Sequence, residues 1–332
     1  MKGLELSERY YEAFGKPMIQ KQFSDYEQRI AVGLVGDGSE CLGYDDALSQ
    51  DHDFGPGFCL WLTREDFAAI GGELTKAYEN LPKDFLGYQR NTTAQAAGRV
   101  GVMNTEEFYS RYVGDLEDFS SPLHWLRIPE HLLCCAVNGR VFTDPLGDFS
   151  RIRAFLSGYY PEDVRLKKIA ARLALMAQSG QYNFYRTRKR KEFVAARQAL
   201  DIFVRETLSL IGLLNRTYMP YYKWVFRKAQ ELPILHAALP LIEIISVSNV
   251  RMSCGSAKQP FVSMKEAAGI GSAMEKDIDI GDAVEEICRE AVKALREQGL
   301  VSRDYDFLEP CAREVMQHIE TPEIRALHIM TG

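Results

Sequence analysis

The sequence predicts an α+β protein in which a small mixed-sheet domain, residues 1–150, is followed by an α-helical bundle domain, residues 151–332. The first observation is length, because 332 residues are enough for two domains that each bury a core. The second is that short apolar runs alternate with helical patterns up to about residue 150. The third is that strand patterns nearly vanish beyond that point, while apolar residues keep helical spacing.

The elements of the first half follow from these patterns in chain order. A helix is predicted within residues 5–30, where aromatic and aliphatic residues recur three and four positions apart. A strand followed by a tight turn is predicted at RIAVGLVGDGS, and further strands at DFGPGFCLWLT and at the start of GRVGVMNTEEFYSRYVG. Helices are predicted after the last two strands. In EHLLCCAVNGRVFTDPLG we expect two strands joined at Asn138-Gly139, since Asn-Gly is the strongest short hairpin signal.

The second half is expected to be helical. Apolar positions keep helical spacing from residue 148 to about 233, and DAVEEICREAVKALREQG predicts another amphipathic helix. Residues 247–272 are expected to form a loop between helices. The motif GIGSAMEKDIDI is interpreted as a loop that leads into a helix cap.

Composition excludes several classes of function. The formal net charge of −6 argues against non-specific binding to duplex DNA, which needs a basic surface. No apolar stretch is long enough for a membrane span and the N-terminus lacks a signal core, so a cytoplasmic protein without membrane contact is expected. The seven cysteines lack C-x-x-C spacing and are expected to be reduced core thiols.

The candidate chemistry lies in GSECLGYDDALSQDHDFGPGFCLWL, residues 38–62. Asp51 and Asp53 are two positions apart, so on a strand their carboxylates point to the same side. Two carboxylates that close favour a cation between them, and oxygen ligands suit Mg²⁺. Gly38 and Ser39 follow a predicted strand, where free backbone N–H groups can bind phosphate oxygens. A D-x-D pair alone is common in surface turns, which is the alternative interpretation.

These residues carry a family resemblance. Gly38-Ser39, eleven intervening residues and Asp51-His52-Asp53 resemble the signature of the DNA polymerase β-like nucleotidyltransferase superfamily. Together with VFTDPLGDFSRIRAFL, YYPEDVRLKKIA, QSGQYN and LLNRTYMPYYKW, the segment resembles a bacterial family within it that is catalogued as a domain of unknown function. The resemblance covers about residues 35 to 230, and the plan is similar to that of aminoglycoside nucleotidyltransferases. It implies Mg²⁺-dependent transfer of a nucleoside monophosphate from an NTP, with pyrophosphate leaving.

The sequence departs from the superfamily pattern in two respects. Members usually have a third carboxylate on a later strand, and Asp144 is the candidate for third ligand or general base. The alternative is that Asp144 only opens the Asp-Pro turn. No basic residue follows Gly38-Ser39, where many relatives have an arginine that holds a phosphate.

The helical half offers candidate cations for nucleotide binding. Arg186 and Arg190 lie four apart on one helical face, where they are expected either to grip a triphosphate or to belong to a solvated charged face. Lys223 lies among aromatic residues after Pro220, and we expect a partly buried cation with a negative partner. By similarity to lysines in the bundle of aminoglycoside nucleotidyltransferases, Lys223 is expected to contact the nucleotide phosphates.

Two functions from different classes follow. The first is a Mg²⁺-dependent nucleotidyltransferase that acts on an NTP and an unidentified acceptor, with a small molecule favoured and tRNA or protein left open. The second is a nucleotide-binding or partner-binding regulator on a catalytically decayed transferase scaffold. The uncertain third acid and the missing arginine motivate the second function.

Overall fold

The computed structural model describes residues 1–50, 54–90, 98–248 and 279–332. Within them the chain forms two compact units, one of Met1–Pro161 with Tyr218–Val225 and one of Glu162–Thr217 with Phe226–Gly332. The first unit contains a small mixed sheet, and the described part of the second is helical. The predicted α+β class is therefore confirmed, while the division at residue 150 stays a prediction.

The first unit begins with one continuous helical stretch. It consists of α1 (Gly3–Tyr10), a π-helical turn (Tyr11–Gly15) and α2 (Lys16–Gln22). The helix predicted within residues 5–30 is confirmed. Its buried face packs on the sheet through side chains that include Tyr10, Met18 and Ile19.

The six strands that the structure describes in the first unit form one four-stranded sheet and one short hairpin. They are β1 (Ala31–Leu34), β2 (Cys59–Leu62), β3 (Asp84–Phe85), β4 (Tyr88–Gln89), β5 (Gly101–Asn104) and β6 (Arg140–Thr143). The large sheet has the order β5-β2-β1-β6, and β3 pairs with β4. Strand β1 is antiparallel to β2 and β6, whereas β2 and β5 are parallel. The predicted strands β1, β2 and β5 are confirmed.

The register places four chain segments at one end of this sheet. Gly33 pairs with Cys59, and Leu34 pairs with Arg140, so β2 and β6 begin where β1 ends. Gly101 also pairs with Cys59, so β5 begins there as well. We call this the turn end of the sheet. Four-residue strands are roughly 13 Å long, which separates the turn end from the opposite end.

Helices cover both faces of the sheet. Besides α1 and α2, the described helices of Met1–Pro161 are α3 (Arg64–Glu79), α4 (Thr105–Val113), α5 (Pro122–Arg127), α6 (Glu130–Val137) and α7 (Asp148–Ser157). Of these, α3, α4 and α7 contact strands directly. In β2, Leu60 and Leu62 join the core beneath the N-terminal helices and α3. Trp61 points to the other face and stacks on Phe149 of α7, with ring centroids 3.9 Å apart. Burial on both faces explains why β2 is a continuous apolar run without alternation.

The predicted hairpin at Asn138-Gly139 is wrong. Residues 130–137 form helix α6, and Gly139 joins that helix to β6. Gly139 has φ +64, so its left-handed conformation serves a helix-to-strand junction and not a hairpin turn. Asn138 instead bonds Gly36 beyond the end of β1, with Nδ2 donating to the carbonyl oxygen over 2.7 Å.

The second unit contains the remaining helices, with α11 beginning in the first unit. They are α8 (Glu162–Met176), α9 (Tyr185–Lys189), α10 (Phe193–Leu214), α11 (Tyr222–Ala229), α12 (Ala238–Val247), α13 (Ile280–Glu297), α14 (Leu308–Gln317) and α15 (Pro322–Arg325). Helix α8 packs against α10 and α14, and α12 packs against α13. The helical character predicted for this half is confirmed in the described residues. None of the described helices is long and apolar enough to cross a membrane.

Two of the sequence blocks that carry the resemblance have structural roles here. In YYPEDVRLKKIA, the fully buried Lys167 donates through Nζ to the carbonyl oxygens of His328 (3.0 Å), Ile329 (2.9 Å) and Thr331 (2.5 Å). The block QSGQYN lies in a π-helical segment, where Gln181 donates to Glu285 Oε2 over 2.8 Å. These polar residues therefore hold the second unit together.

Two further predictions can be compared with the described residues. Asp279 caps α13 by accepting from the backbone N–H of Gly281 over 2.7 Å, which confirms the helix-cap interpretation at its described end. The predicted loop falls mainly on residues 249–278, which lie outside the described residues. The six described cysteines are buried and free of disulfides, as expected, and Cys254 lies outside the described residues.

Gly139 provides a direct test of the junction. A Cβ at this position would lie 2.0 Å from the carbonyl oxygen of Leu34, and φ is +64. Gly139→Ala is therefore expected to lower the free energy of unfolding by at least about 3 kcal/mol, measured by urea denaturation. Gly147→Ala is the control, because Gly147 has φ +79 but no neighbour within 4 Å. Equal losses in the two variants would contradict the close approach to β1.

The buried thiols predict a loss of stability in alkali. Burial raises the pKa of Cys59 and of Cys311 to about 12, from an ordinary value near 9, and it also raises the pKa of Cys41, Cys135 and Cys288. Above pH 9 the unfolded chain loses thiol protons that the folded chain keeps. Each such thiol therefore lowers the free energy of unfolding by about 1.4 kcal/mol per pH unit.

One lysine opposes this trend. Burial lowers the pKa of Lys167 to about 8, so its contribution to stability rises between pH 8 and the ordinary lysine value of 10.5. Five thiols outweigh one lysine, and we expect the free energy of unfolding, measured in urea with reductant, to fall between pH 9 and 10. Cys311→Ala should make this slope shallower. A pH-independent free energy of unfolding across that range would contradict the assignment.

Candidate functional site

A glycine-rich turn, residues 36–39, follows β1 at the turn end of the sheet. Gly36 has φ +118 and Gly38 has φ +116, conformations that favour glycine. A Cβ on Gly38 would lie 2.1 Å from Arg99 Nη2, and one on Gly36 would lie 2.6 Å from the hydroxyl of Tyr112. The two glycines therefore allow an arginine and a tyrosine to approach the backbone of the turn.

Arg99 joins this turn to the start of β5. Its Nη2 donates to the carbonyl oxygen of Asp37 over 2.9 Å and forms an ion pair with the carboxylate of Glu40. The side chains of Arg99 and Glu40 are only 15% and 11% exposed. A guanidinium group thus lies beside Gly38, although no basic residue follows Ser39 in the sequence.

Sequence reasoning missed Arg99. The arginine is separated from the turn by about sixty residues, and its segment is adjacent only because β5 runs parallel to β2. The sequence offered one indication of its role, which is that this arginine lies just before a predicted strand. That signal carries no information on which strands are neighbours, so it could not locate the side chain.

Asp37 presents the one carboxylate of the turn itself. It is exposed, and it accepts hydrogen bonds from the hydroxyl of Tyr112 (3.0 Å) and from the thiol of Cys135 (3.7 Å). Burial, and then the charge of Asp37, raise the pKa of Tyr112 well above its ordinary value. The phenol therefore remains a hydrogen-bond donor at neutral pH and holds the carboxylate in place.

A cavity at the turn end is lined by two arginines. Arg90 and Arg99 contribute to its wall together with Glu40 and the glycines of residues 55–57. Nη2 of Arg90 is buried and has no hydrogen-bond partner in the part of the chain that the structure describes. The guanidinium carbon of Arg90 lies 3.9 Å from the centroid of the Tyr78 ring. The cavity has a volume of only about 30 Å³, and two guanidinium groups against one carboxylate give its wall a net positive charge.

Lys223 is connected to the turn through two aromatic side chains of the first unit. The backbone N–H of Tyr44 donates to the carbonyl oxygen of Ser39 over 2.9 Å, and the Tyr44 and Trp224 ring centroids are 5.6 Å apart. Nζ of Lys223 lies 5.2 Å from the Trp224 ring centroid. The expectation that Lys223 is partly buried is wrong, because the residue is exposed at the start of α11. Its ammonium group rests on an aromatic face, which attracts a cation without burying it.

Asp144 lies at the opposite end of the sheet. Thr143, the last residue of β6, pairs with Val32 near the beginning of β1, so the structure does not bring Asp144 to Gly38 and Ser39. The carboxylate of Asp144 accepts from the backbone N–H groups of Gly147 (3.1 Å) and Ser150 (2.7 Å). This geometry favours the alternative interpretation, in which Asp144 stabilises the turn before α7.

Asp51 and Asp53 lie outside the described residues. Their segment leads into β2, which begins at the turn end of the sheet. Within the described residues there is no group of three or more histidine, cysteine or acidic side chains that could hold a metal ion.

Arg186 and Arg190 belong to the second unit and are exposed. Arg186 is on α9 and Arg190 directly follows that helix. The guanidinium carbon of Arg186 lies 4.6 Å from the Tyr182 ring centroid. This arrangement is typical of a solvated helix face with a local cation–π contact.

Comparison with known proteins gives one match. The profile of a family described as a domain of unknown function (DUF4037) matches residues 125–225. No curated protein matches the chain, and no solved structure does. The match includes Asp144, Arg186, Arg190 and Lys223, but it begins after the glycine-rich turn and after Asp51 and Asp53.

The two roles of Asp144 can be separated by substitution. Asp144→Ala removes two backbone hydrogen bonds before α7 and is expected to lower the free energy of unfolding by about 1–2 kcal/mol, measured by urea denaturation. Asp148→Ala is the control, since the side chain of Asp148 is half exposed and its nitrogen partner on Arg151 is 3.9 Å away. An Asp144→Ala variant with unchanged stability and no nucleotide binding would instead support the third-acid role.

Proposed function

We propose that the protein is a Mg²⁺-dependent nucleotidyltransferase that moves a nucleoside monophosphate from an NTP to an acceptor, with the nucleotide bound at the turn end of the sheet. The observation that carries the proposal is the cavity lined by Arg90 and Arg99 beside Gly38 and Ser39. It combines guanidinium groups with a glycine-rich turn, and both bind phosphate oxygens well.

Neutralisation of phosphate charge is the first requirement of this reaction. A triphosphate brings several negative charges, and phosphoryl transfer relies mainly on positioning and on electrostatic stabilisation of those charges. The buried Nη2 of Arg90 lacks a partner among the described residues, so a phosphate oxygen would satisfy it. Arg99 supports the proposal differently, because it compensates for the missing arginine after Ser39 while holding the turn.

Asp51 and Asp53 would hold the metal ion. Both are hard oxygen donors, as Mg²⁺ prefers, and they precede a strand that begins at the turn end. The bound ion would supply charge neutralisation at the phosphates. With Asp144 at the opposite end of the sheet, two described acids flank Gly38 and Ser39: Asp37, which is exposed, and Glu40, which is paired with Arg99.

Lys223 would contribute a further cation. Its ammonium group belongs to the same compact unit as the turn and is connected to Ser39 through Trp224 and Tyr44. An exposed lysine on an aromatic face can still reach a phosphate.

The class of acceptor is inferred from the net charge of the protein. The net charge of −6 favours a small-molecule acceptor over a polynucleotide. Arg186 and Arg190 form a local basic patch, which is the surface to test for tRNA if small acceptors fail.

A second function is favoured by one specific contact. Glu40 already neutralises Arg99, and the pair is largely buried. If this ion pair is not opened by a nucleotide, the fold serves as a nucleotide-binding or partner-binding regulator. Turnover of a labelled NTP separates the two functions, since a regulator binds the nucleotide without releasing pyrophosphate.

The proposal is tested by thermal shift with each of the four NTPs, with and without Mg²⁺. At least one NTP should raise the melting temperature in a Mg²⁺-dependent way, and Asp51→Asn or Asp53→Asn should abolish that shift without changing the melting temperature of the free protein. Undiminished Mg²⁺-dependent shifts in both variants would contradict the metal site.

The cationic contacts have their own readout in the same assay. Arg90→Met and Lys223→Ala are each expected to weaken triphosphate binding roughly tenfold and nucleoside binding little, because each removes a charge contact. Lys228→Ala is the control, since Lys228 lies on the same helix and is already paired with Glu231 at 2.9 Å. Equal effects on triphosphate and nucleoside would argue against phosphate contacts.

A further inference from the structure

A second cavity lies at the opposite end of the four-stranded sheet. It has a volume of about 250 Å³, and its wall includes Val32 of β1 and Thr143 of β6. Both residues lie near the end of the sheet that is remote from the glycine-rich turn. Ile19 and Ile30 are buried in its floor, and the half-buried ring of Phe142 adds to the apolar wall. The cavity is therefore distinct from the one lined by Arg90 and Arg99.

Tyr11 brings a hydroxyl group to the wall of this cavity. Only 6% of the residue is exposed, and its ring stacks on Phe142 with centroids 6.0 Å apart. No described residue forms a hydrogen bond with its hydroxyl. Tyr11 also begins the π-helical turn of the N-terminal helix, a distortion that is frequent at functional sites. The hydroxyl oxygen is not among the fully buried polar atoms that lack a partner, so it is open to the cavity and can form a hydrogen bond with a ligand there.

The polar rim of the cavity is acidic. Glu12 and Glu27 both line it, together with one cation, Lys16. Lys16 is paired with Glu12 at 3.2 Å, and Glu27 accepts through Oε1 from the side-chain amide of Gln20 over 2.9 Å. One negative charge therefore remains in excess, and Oε2 of Glu27 is available to a ligand.

The protonation of the Tyr11 phenol is affected by the two nearby carboxylates. Burial, and then the charges of Glu12 and Glu27, raise the pKa of Tyr11 to about 12. The phenol is thus neutral at physiological pH and donates or accepts a hydrogen bond. Arg140 lies 5.6 Å from the Phe142 ring but is itself paired with Glu8, so its charge is compensated.

We propose that this cavity binds a small organic cation, an ammonium group attached to a short apolar or aromatic body. The apolar body would lie against the apolar floor, and the ammonium group would pair with the carboxylate of Glu27. The Tyr11 hydroxyl would form a second hydrogen bond with the ligand. A carboxylate ligand of the same shape is disfavoured, because it would meet the excess negative charge. The site is independent of the nucleotide proposal, which concerns an anion at the other end of the sheet.

The test uses phenethylamine and phenylacetate, which share a phenyl body and carry opposite charges. Binding to the full chain is measured by saturation-transfer NMR titration without nucleotide or metal. We expect phenethylamine to bind with millimolar affinity and phenylacetate roughly tenfold more weakly. Equal binding of the two probes, or no binding of phenethylamine at about 10 mM, would overturn the proposal.

Three variants assign the binding to this cavity. Glu27→Gln removes the charge but keeps an acceptor for Gln20, and Tyr11→Phe removes only the hydroxyl. Each is expected to weaken phenethylamine binding roughly tenfold. Glu5→Gln is the control, because Glu5 and Arg9 form an exposed i,i+4 pair like that of Glu12 and Lys16 but do not line the cavity. Equal weakening in the control, or none in the first two variants, would place the probe elsewhere.

Discussion

The ion pair between Arg99 and Glu40 is the contact on which the candidate site depends. A single guanidinium group bonds the carbonyl oxygen of Asp37 and the carboxylate of Glu40, so it joins the start of β5 to both sides of Gly38. Both partners are mostly buried, where losing one would leave an uncompensated charge. The pair therefore fixes the path of the turn, and through the turn it fixes where Ser39 presents its backbone.

Strand order explains why residues far apart in sequence meet at this point. Because β1 is antiparallel to both neighbours and β2 is parallel to β5, three strands begin where β1 ends. Asn138 before β6, Arg99 before β5 and the segment before β2 are thus brought to one turn. A cation needed there can come from any of these strands. The absence of a basic residue directly after Ser39 is therefore weak evidence for the hypothesis of a catalytically decayed scaffold.

Periodicity and glycine placement were enough to predict much of the fold, but not the contacts of the site. The strands β1, β2 and β5 and the helical second half follow from local patterns. The hairpin at Asn138-Gly139 failed because a left-handed glycine serves a helix-to-strand junction as well as a turn. Arg99 was missed and Lys223 was expected to be buried, because strand adjacency and solvent exposure depend on long-range packing that one local pattern does not contain.

The residues matched by the family profile include some that hold the fold together. Lys167 and Gln181 lie within the matched residues 125–225, and the side chains of both form hydrogen bonds inside the second unit. Two charged residues that line cavities, Arg90 at one end of the sheet and Glu27 at the other, lie outside the matched residues, whereas the exposed Lys223 lies within them. A packed sheet core separates these opposite charges. A cavity lined by two arginines and a cavity with an acidic rim therefore occur in one small unit without neutralising each other.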